Sequence, residues 1–182
     1  KIISLYFSGD KRFEQVNTMI PGLKASLKKG LMFISPPGFG KTTVMNLIYL
    51  ISRKTYRGND GQLIKYKLHN TIENKVTAPN LTTMFDNNFI SFSRQCSKSN
   101  LFIDDVGREA PSKYSKKEAG LVYPLQQLFE RRYAGFEKGG SILHITSNFT
   151  DPELFSKRYQ SHVTDRIRGM CNMFLFNGLS KR

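Results

Sequence analysis

The chain has 182 residues, of which 39% are hydrophobic, so it is long enough to bury the core of one globular domain and is neither fibrous nor disordered. Its longest apolar stretch, around Val44–Ile51, is too short to span a bilayer and contains Asn46, so we expect no membrane span. No basic segment followed by an apolar one opens the sequence, so we expect no signal segment. The net charge of +14 favours a polyanionic partner such as nucleic acid, with a merely solvated basic surface as the alternative.

The first predicted elements are a strand and a helix. Leu31–Ser35 is a short apolar run that ends in Pro-Pro-Gly, which predicts a buried strand. From Lys41 to about Tyr56 the apolar residues recur at helical spacing. The residues that share one face of this predicted helix are Val44, Leu47, Ile48 and Ile51. Residues 58–61, Gly-Asn-Asp-Gly, are expected to break the chain after it.

Residues 62–78 leave two interpretations open. Gln62–Leu68 alternates like a strand, but Lys75–Ala78 is a second candidate for the same strand. Pro79 then suits the first turn of a helix that covers roughly residues 80–96.

A second buried strand is predicted at Asn100–Asp104, followed by a polar segment, 106–119, that we predict to be a mobile loop. A helix runs from Pro124 to about Glu137 and stops at Gly139-Gly140. Its inward residues are Leu125, Leu128, Phe129, Tyr133 and Phe136.

The chain ends with a strand, a helix and a strand in this prediction. Ser141–Thr146 is a third buried strand, Thr150–Glu153 is a capping box that starts a helix, and Asn172–Phe176 is an edge strand. The alternation of strands and helices predicts an α/β fold, with a parallel sheet between helices on both faces.

Residues 36–42, Pro-Pro-Gly-Phe-Gly-Lys-Thr, form a candidate phosphate-binding loop between the first strand and its helix. Gly38 and Gly40 allow backbone N–H groups to approach phosphates where a side chain would collide. Lys41 stands at the helix start, where its ammonium group reaches the β- and γ-phosphates, and Thr42 offers a hydroxyl to Mg²⁺.

The strand before this loop and the amphipathic helix after it supply the required context, although Ser35 stands where the generic pattern has glycine. A glycine-rich turn that only caps a helix is the alternative interpretation. We therefore predict a site for ATP or ADP formed by Pro37, Gly38, Phe39, Gly40, Lys41, Thr42 and Thr43.

Two carboxylates, Asp104 and Asp105, follow the apolar run Leu101–Ile103. Charged groups at the end of a buried strand are costly unless they are paired, and Mg²⁺ carried by ATP is the obvious partner. We assign Asp104 to Mg²⁺ together with Thr42, and Asp105 to positioning or deprotonating the attacking water. A strand that simply enters a turn is the alternative.

A polar amide, Asn148, ends the run Ile145–Asn148 after the third strand. An amide at the end of a neighbouring strand lies beside the γ-phosphate and orients water, whereas the alternative is that Asn148 only starts a turn. Later, the segment Arg158–Arg168 carries three arginines that suit nucleic acid, another subunit's ATP or a solvated helix face.

Together these motifs resemble the AAA+ ATPases, specifically the helicase-loader branch typified by bacterial DnaC, DnaI and IstB-like proteins. The matching stretches cover nearly the whole chain and are residues 29–43, 101–107, 144–148, 158–168 and 176–182. The resemblance implies a three-layer P-loop NTPase core with a mostly parallel sheet, in one domain over residues 1–182. Within it we expect residues 1–29 to be a lead-in, and we expect no C-terminal lid domain.

The resemblance also implies that ATP, ADP and Mg²⁺ are the cofactors and that the protein self-assembles, with an arginine of one subunit completing its neighbour's site. By position, Arg166 is the expected trans arginine and Arg158 is the reserve. Asp105 stands where many AAA+ enzymes carry glutamate, and its shorter side chain predicts slow, switch-like turnover.

The function implied is an ATP-hydrolysing DNA-replication protein that assembles on single-stranded DNA and loads a replicative helicase. Because few residues precede the phosphate-binding loop, the extension that contacts the helicase is expected to be missing or very short, or the chain to be a fragment. A transposition helper that binds DNA and recruits a transposase, and a scaffold that does not bind DNA, are the alternatives. Cys96 and Cys171 lack metal-site spacing and predict free thiols in a reducing cytoplasm.

Overall fold

A computed structural model describes residues 1–57, 59, 62–65, 68–115 and 121–176. The strands, numbered in chain order, are β1 (Gly30–Ile34), β2 (Thr55–Arg57), β3 (Leu63–Lys65), β4 (Asn74–Thr77), β5 (Leu101–Val106), β6 (Leu143–Ser147) and β7 (Cys171–Leu175). Within the described residues, five of them form one parallel sheet in the order β4-β5-β6-β1-β7. β2 and β3 form a separate antiparallel pair.

Helices cover both faces of this sheet. They are α1 (Ile2–Ser8), α2 (Lys41–Arg53), α3 (Ala78–Asn87), α4 (Phe89–Cys96), α5 (Pro124–Glu137), α6 (Pro152–Tyr159) and α7 (Ser161–Met170). On one face, Leu31 and Phe33 of β1 belong to a core with α1 and α2. On the other, Met32 and Ile34 belong to a core with α3 to α7, as the alternation of side chains along a strand requires. The predicted three-layer α/β fold is therefore confirmed.

Several predicted elements are confirmed with small shifts of their ends. The predicted strands at residues 31–35, 100–104, 141–146 and 172–176 correspond to β1, β5, β6 and β7, and β7 lies at the sheet edge. The predicted helix from Pro124 spans α5 and ends before Gly139, whose φ is +73°. The helix expected from the capping box begins at Pro152. Among the described residues, no helix combines the length and apolar character that crossing a membrane requires.

The stretch between α2 and α4 differs most from the prediction. α2 ends at Arg53 rather than near Tyr56, because the chain turns into β2. Both strand candidates in 62–78 are strands, one pairing with β2 and the other joining the main sheet. The single helix predicted over 80–96 is broken at Asn88, which has φ −153° and whose side chain accepts the Ser91 N–H at 3.0 Å, so that it caps a new helix.

The packed face of α2 also differs from the predicted apolar row. Met45 is fully buried, with Ile48 and Tyr49 packed beside it. Val44 and Leu47 are 37% and 56% exposed. Because α2 has apolar residues around most of its circumference, periodicity alone did not identify the side that meets the sheet.

The loop predicted at 106–119 is confirmed for residues 108–115, which form no helix or strand, but Val106 belongs to β5 and the segment is packed rather than free. Glu109 and Ser112 are buried, and the Ser112 hydroxyl donates to the Asp86 carboxylate. The remaining residues of that prediction, 116–119, lie outside the described part of the chain. The same holds for residues 58, 60 and 61 of the predicted chain break and for residues 177–182 of the last motif.

His144, on β6, is buried as a neutral imidazole. Its Nδ1 accepts the Leu31 N–H at 3.3 Å, and its Nε2 faces the Asn70 carbonyl oxygen at 3.2 Å, so Nε2 carries the proton. Burial lowers the pKa of His144 from 6.5 to about 4. Between pH 4 and pH 6.5, His144 is therefore protonated in the unfolded chain and neutral in the folded chain.

We expect His144 to titrate near pH 4 in an NMR pH series of the folded protein. Because its folded pKa is depressed, its contribution to the free energy of unfolding is present above pH 6.5 and is lost as the pH falls towards 4. The loss should approach about 3 kcal/mol, since one pKa unit corresponds to about 1.4 kcal/mol. A His144 midpoint near 6.5 would contradict this assignment.

Candidate functional site

The strand order brings the predicted site residues to one edge of the sheet. β6 lies between β5 and β1 in a parallel sheet, so the carboxyl ends of these three strands are adjacent. The phosphate-binding loop follows β1, Asp104 and Asp105 end β5, and Asn148 follows β6. Ligand sites in open parallel sheets form at this edge.

A cavity of about 290 Å³ opens between the phosphate-binding loop and the ends of β5 and β6. Gly38 and Gly40, with φ values of +96° and +75°, adopt left-handed conformations that favour glycine. Gly40 caps α2, so the first N–H groups of the helix face the cavity. The residues that line the cavity are Pro37, Gly38, Phe39, Gly40, Lys41, Thr42, Thr43, Asp105, Arg108 and Asn148.

The ammonium group of Lys41 is held by oxygen acceptors at the cavity wall. It donates to the Ser35 carbonyl at 2.7 Å, to the Ser35 hydroxyl at 2.9 Å and to Asn148 Oδ1 at 3.1 Å. Burial lowers the pKa of Lys41, and the Asp105 and Asp104 carboxylates partly oppose that shift. The departure from glycine at Ser35 thus has a structural role, because its buried hydroxyl is an additional acceptor for the lysine.

Asp104 is buried and paired with protein groups. Its Oδ1 accepts from the hydroxyls of Thr42, at 2.8 Å, and Thr146, at 2.5 Å. The ammonium group of Lys75 lies 3.8 Å from Oδ2. The burial cost that sequence reasoning assigned to Mg²⁺ alone is therefore offset by three neighbouring side chains.

The Thr42 hydroxyl and the Asp104 carboxylate suit Mg²⁺, which prefers oxygen donors. In the part of the chain that the structure describes, there is no cluster of three or more histidine, cysteine or acidic residues that would form a protein-only metal site. Where Mg²⁺ is bound with a nucleotide, it is usually held by one or two protein groups, substrate phosphates and water.

Asp105 is turned into the cavity by an irregularity of β5. Its φ is +59°, its N–H donates to the Thr146 hydroxyl at 3.0 Å, and the β5–β6 register shifts between Ile103 and Val106. An extra residue at such a bulge re-aims a side chain, and aspartate is one of the few residues other than glycine that adopt the left-handed conformation. Asp104 and Asp105, although adjacent, therefore occupy different environments.

Asn148 joins the two charged sides of the cavity. Its Oδ1 accepts from Lys41, and its Nδ2 donates to Asp105 Oδ1 at 3.2 Å. One row of hydrogen bonds thus crosses the cavity and joins the predicted phosphate ligand Lys41, the amide of Asn148 and the predicted water-positioning residue Asp105. Whether Asn148 orients water, or only starts a turn, stays a prediction that these contacts accompany.

Arg108 also lines the cavity and was not predicted. Its Nη1 donates to Asp105 Oδ2 at 3.1 Å. The available signal was its position three residues after the predicted water-positioning aspartate, within a segment interpreted as a loop. Thr146 and Lys75 were likewise missed as partners of Asp104, although Thr146 belongs to the motif that ends at Asn148.

The predicted arginines do not line this cavity. Arg166 lies on α7, with its guanidinium 3.6 Å from the Glu130 carboxylate and over the Tyr133 ring. It is part-exposed, which leaves the prediction of a trans arginine open. Arg158, the reserve choice, lies 3.2 Å from Glu109 and stacks over Tyr123, so it is held by residues of its own chain.

Glu109 is the centre of a buried cluster beside the cavity. Its carboxylate accepts from Arg158 and Tyr159 and, at 2.8 Å, from the Gly107 N–H. Burial and the Glu109 carboxylate raise the pKa of Tyr159, so its hydroxyl remains a donor. The cluster ties the turn after Asp105 to α6, and sequence reasoning missed it because Glu109 occurs in a polar stretch.

No protein-family model and no curated protein matches the sequence. Among solved structures, the chain is similar to a crystal structure of the DnaC helicase loader, with a TM-score of 0.55 and 18% sequence identity. The match covers 82% of this chain and 79% of that chain. The chain therefore shares the α/β fold of that structure, and its five-stranded parallel sheet agrees with the predicted fold class.

Proposed function

We propose that the chain is an ATPase that uses bound ATP to assemble on single-stranded DNA and to act as a loader of a replicative helicase. The observation that carries the proposal is the hydrogen-bonded row of Lys41, Asn148 and Asp105 across a cavity framed by the phosphate-binding loop. The fold shared with the DnaC helicase loader supports the class of function.

In the proposed reaction, the loop N–H groups and Lys41 bind the β- and γ-phosphates of ATP, since α2 directs its positive end at them. Asn148 orients the attacking water and the γ-phosphate. Asp105 positions this water and accepts its proton as the bond to the leaving ADP breaks. Mg²⁺, held beside ATP by Thr42 and Asp104, would neutralise charge on the phosphates.

Slow turnover follows from the length of Asp105. A carboxylate on one methylene holds water less favourably than the longer glutamate of many AAA+ enzymes, as the family resemblance suggested. A slowly hydrolysed ATP suits a switch, in which ATP favours assembly and hydrolysis favours release. The net charge of +14 supports DNA as the surface on which assembly occurs.

ATP should strengthen the binding of a fluorescent single-stranded oligonucleotide by the wild type, as measured by anisotropy. The affinity should fall steeply as salt rises, because bound phosphates release counterions. Lys41→Ala should retain the weak, ATP-independent binding and lose the increase due to ATP. If the affinity for the oligonucleotide changes neither with salt nor with ATP, the DNA-assembly part of the proposal is contradicted and a scaffold that does not act on DNA is favoured.

Arg166 is proposed as the arginine that completes a neighbouring subunit's site. Arg166→Ala should lower hydrolysis in the assembled protein by on the order of 10³-fold, because a trans arginine stabilises charge on the transferring phosphoryl group. Mixing the Arg166→Ala protein with the Lys41→Ala protein should restore part of the activity. The first variant keeps an intact ATP site, and the second supplies the arginine to it.

Arg131→Ala is the matched control for Arg166→Ala, because Arg131 is an exposed arginine on α5 that contacts Ser93 and lies over the Phe89 ring. It should hydrolyse ATP like the wild type. If Arg166→Ala also keeps full activity in the assembled form, or if mixing restores nothing, the trans assignment is wrong.

A further inference from the structure

We propose that Arg108 is a ligand of the γ-phosphate of ATP, supplied by the same chain, and that its ion pair with Asp105 is the arrangement before ATP binds. This inference rests on the proposed ATPase function and adds a nucleotide-sensing residue to it. It starts from an arginine that lines the cavity together with Lys41 and Asn148 but belongs to no predicted motif.

The turn that carries Arg108 is held on both sides. On the side towards Asp105, the backbone N–H of Arg108 donates to the Asp105 carbonyl at 3.1 Å. On the other side, Glu109 is buried and accepts the Gly107 N–H at 2.8 Å. Both neighbours of Arg108 are therefore held, and Arg108 itself lines the cavity.

The ion pair with Asp105 places the Arg108 guanidinium at the end of the cavity where the γ-phosphate is proposed to bind. Asp105 is the proposed water-positioning group, so it lies next to the phosphorus atom under attack. Arg108 pairs with Oδ2 of this carboxylate, while Asn148 donates to Oδ1. A phosphate group bound between Lys41 and Asp105 therefore comes within reach of a side chain as long as arginine.

The existing ion pair is weak enough to be exchanged. The Arg108 side chain is 64% exposed, and an exposed local ion pair contributes little to stability. A guanidinium matches a phosphate with two parallel hydrogen bonds, which makes phosphate the stronger partner. The exchange would also remove Arg108 from Asp105 and leave this carboxylate to bind water.

The exchange predicts discrimination between nucleotides. ADP has no γ-phosphate, so Arg108 would stay on Asp105 when ADP is bound. With ATP, Arg108 would leave Asp105. Loss of Arg108 should therefore weaken ATP binding and leave ADP binding almost unchanged, a pattern that a purely structural residue would not produce.

The test is calorimetric binding of AMP-PNP and of ADP, each with Mg²⁺, to the wild type and to Arg108→Ala and Arg108→Lys. We expect Arg108→Ala to bind AMP-PNP about tenfold more weakly, since hydrogen bonds to charged groups typically contribute this much. ADP affinity should change by less than about twofold. The AMP-PNP affinity of Arg108→Lys should lie between those of the wild type and Arg108→Ala, because lysine keeps the positive charge but cannot make the two parallel hydrogen bonds of a guanidinium.

Arg12→Ala is the matched control, because Arg12 is also a largely exposed arginine paired with a local aspartate, Asp10, outside the cavity. It should bind both nucleotides like the wild type. Equal affinity of Arg108→Ala and wild type for AMP-PNP would overturn the assignment, as would an equal loss for AMP-PNP and ADP. Faster hydrolysis without an affinity change would instead identify Arg108 as an inhibitor of Asp105. If the wild type binds neither nucleotide, the result contradicts the proposed ATPase function itself and not only the role of Arg108.

Discussion

Lys41→Ala should lower ATP hydrolysis at least about a hundredfold, because it removes the cation that we propose binds the phosphates in the reaction. In the structure this ammonium group donates to uncharged acceptors, namely the Ser35 carbonyl and hydroxyl and Asn148 Oδ1. An arriving phosphate offers a charged acceptor in place of neutral ones, which strengthens each hydrogen bond. Steady-state release of phosphate measures the effect.

Lys24→Ala is the matched control for this prediction. Lys24 is also a lysine that donates to uncharged oxygens, those of Gln15 and Asn17, but it does not line the cavity. Its substitution should leave hydrolysis unchanged. Equal hydrolysis by Lys41→Ala and the wild type would remove the catalytic role of the phosphate-binding loop.

Glu109→Ala should reduce the free energy of unfolding by about 3–5 kcal/mol, the cost of removing one partner of a buried ion pair. The substitution leaves the Arg158 guanidinium and the Tyr159 hydroxyl without their buried acceptor. It also frees the Gly107 N–H, so the turn beside Asp105 loses its attachment to α6. The folded fraction should therefore hydrolyse ATP more slowly as well.

Urea unfolding measures this loss, and Glu130→Ala is its control. Glu130 pairs with Arg166 and His162 at the surface, where such a pair contributes at most about 1 kcal/mol. A loss for Glu109→Ala no greater than that for Glu130→Ala would show that the buried cluster does not stabilise the domain.

The central strands were predictable because they are buried on both faces. β1 and β5 begin as uninterrupted apolar runs, which is the pattern of a parallel sheet covered by helices. The gathering of Lys41, Asp105 and Asn148 followed from the same prediction, since parallel strands end at a common edge. In these residues, local pattern and tertiary position agree.

Other features depend on contacts between segments far apart in the chain. Glu109 is polar and lies in a polar stretch, and only its approach to Arg158 turns it into a core residue. Lys75 becomes a neighbour of Asp104 only through the pairing of β4 with β5. The packed side of α2 is set by the sheet beneath Met45, because apolar residues occur around the helix. None of these contacts has a signal within a short window of sequence.

The central claim is that the cavity between the phosphate-binding loop and Asp105 binds ATP. Calorimetric titration of the wild type with ATP, with and without Mg²⁺, tests it most directly. The account predicts one site per chain, with tighter binding when Mg²⁺ is present and with binding weakened by Lys41→Ala. Absence of saturable ATP binding by the wild type, or identical binding by Lys41→Ala, would contradict it.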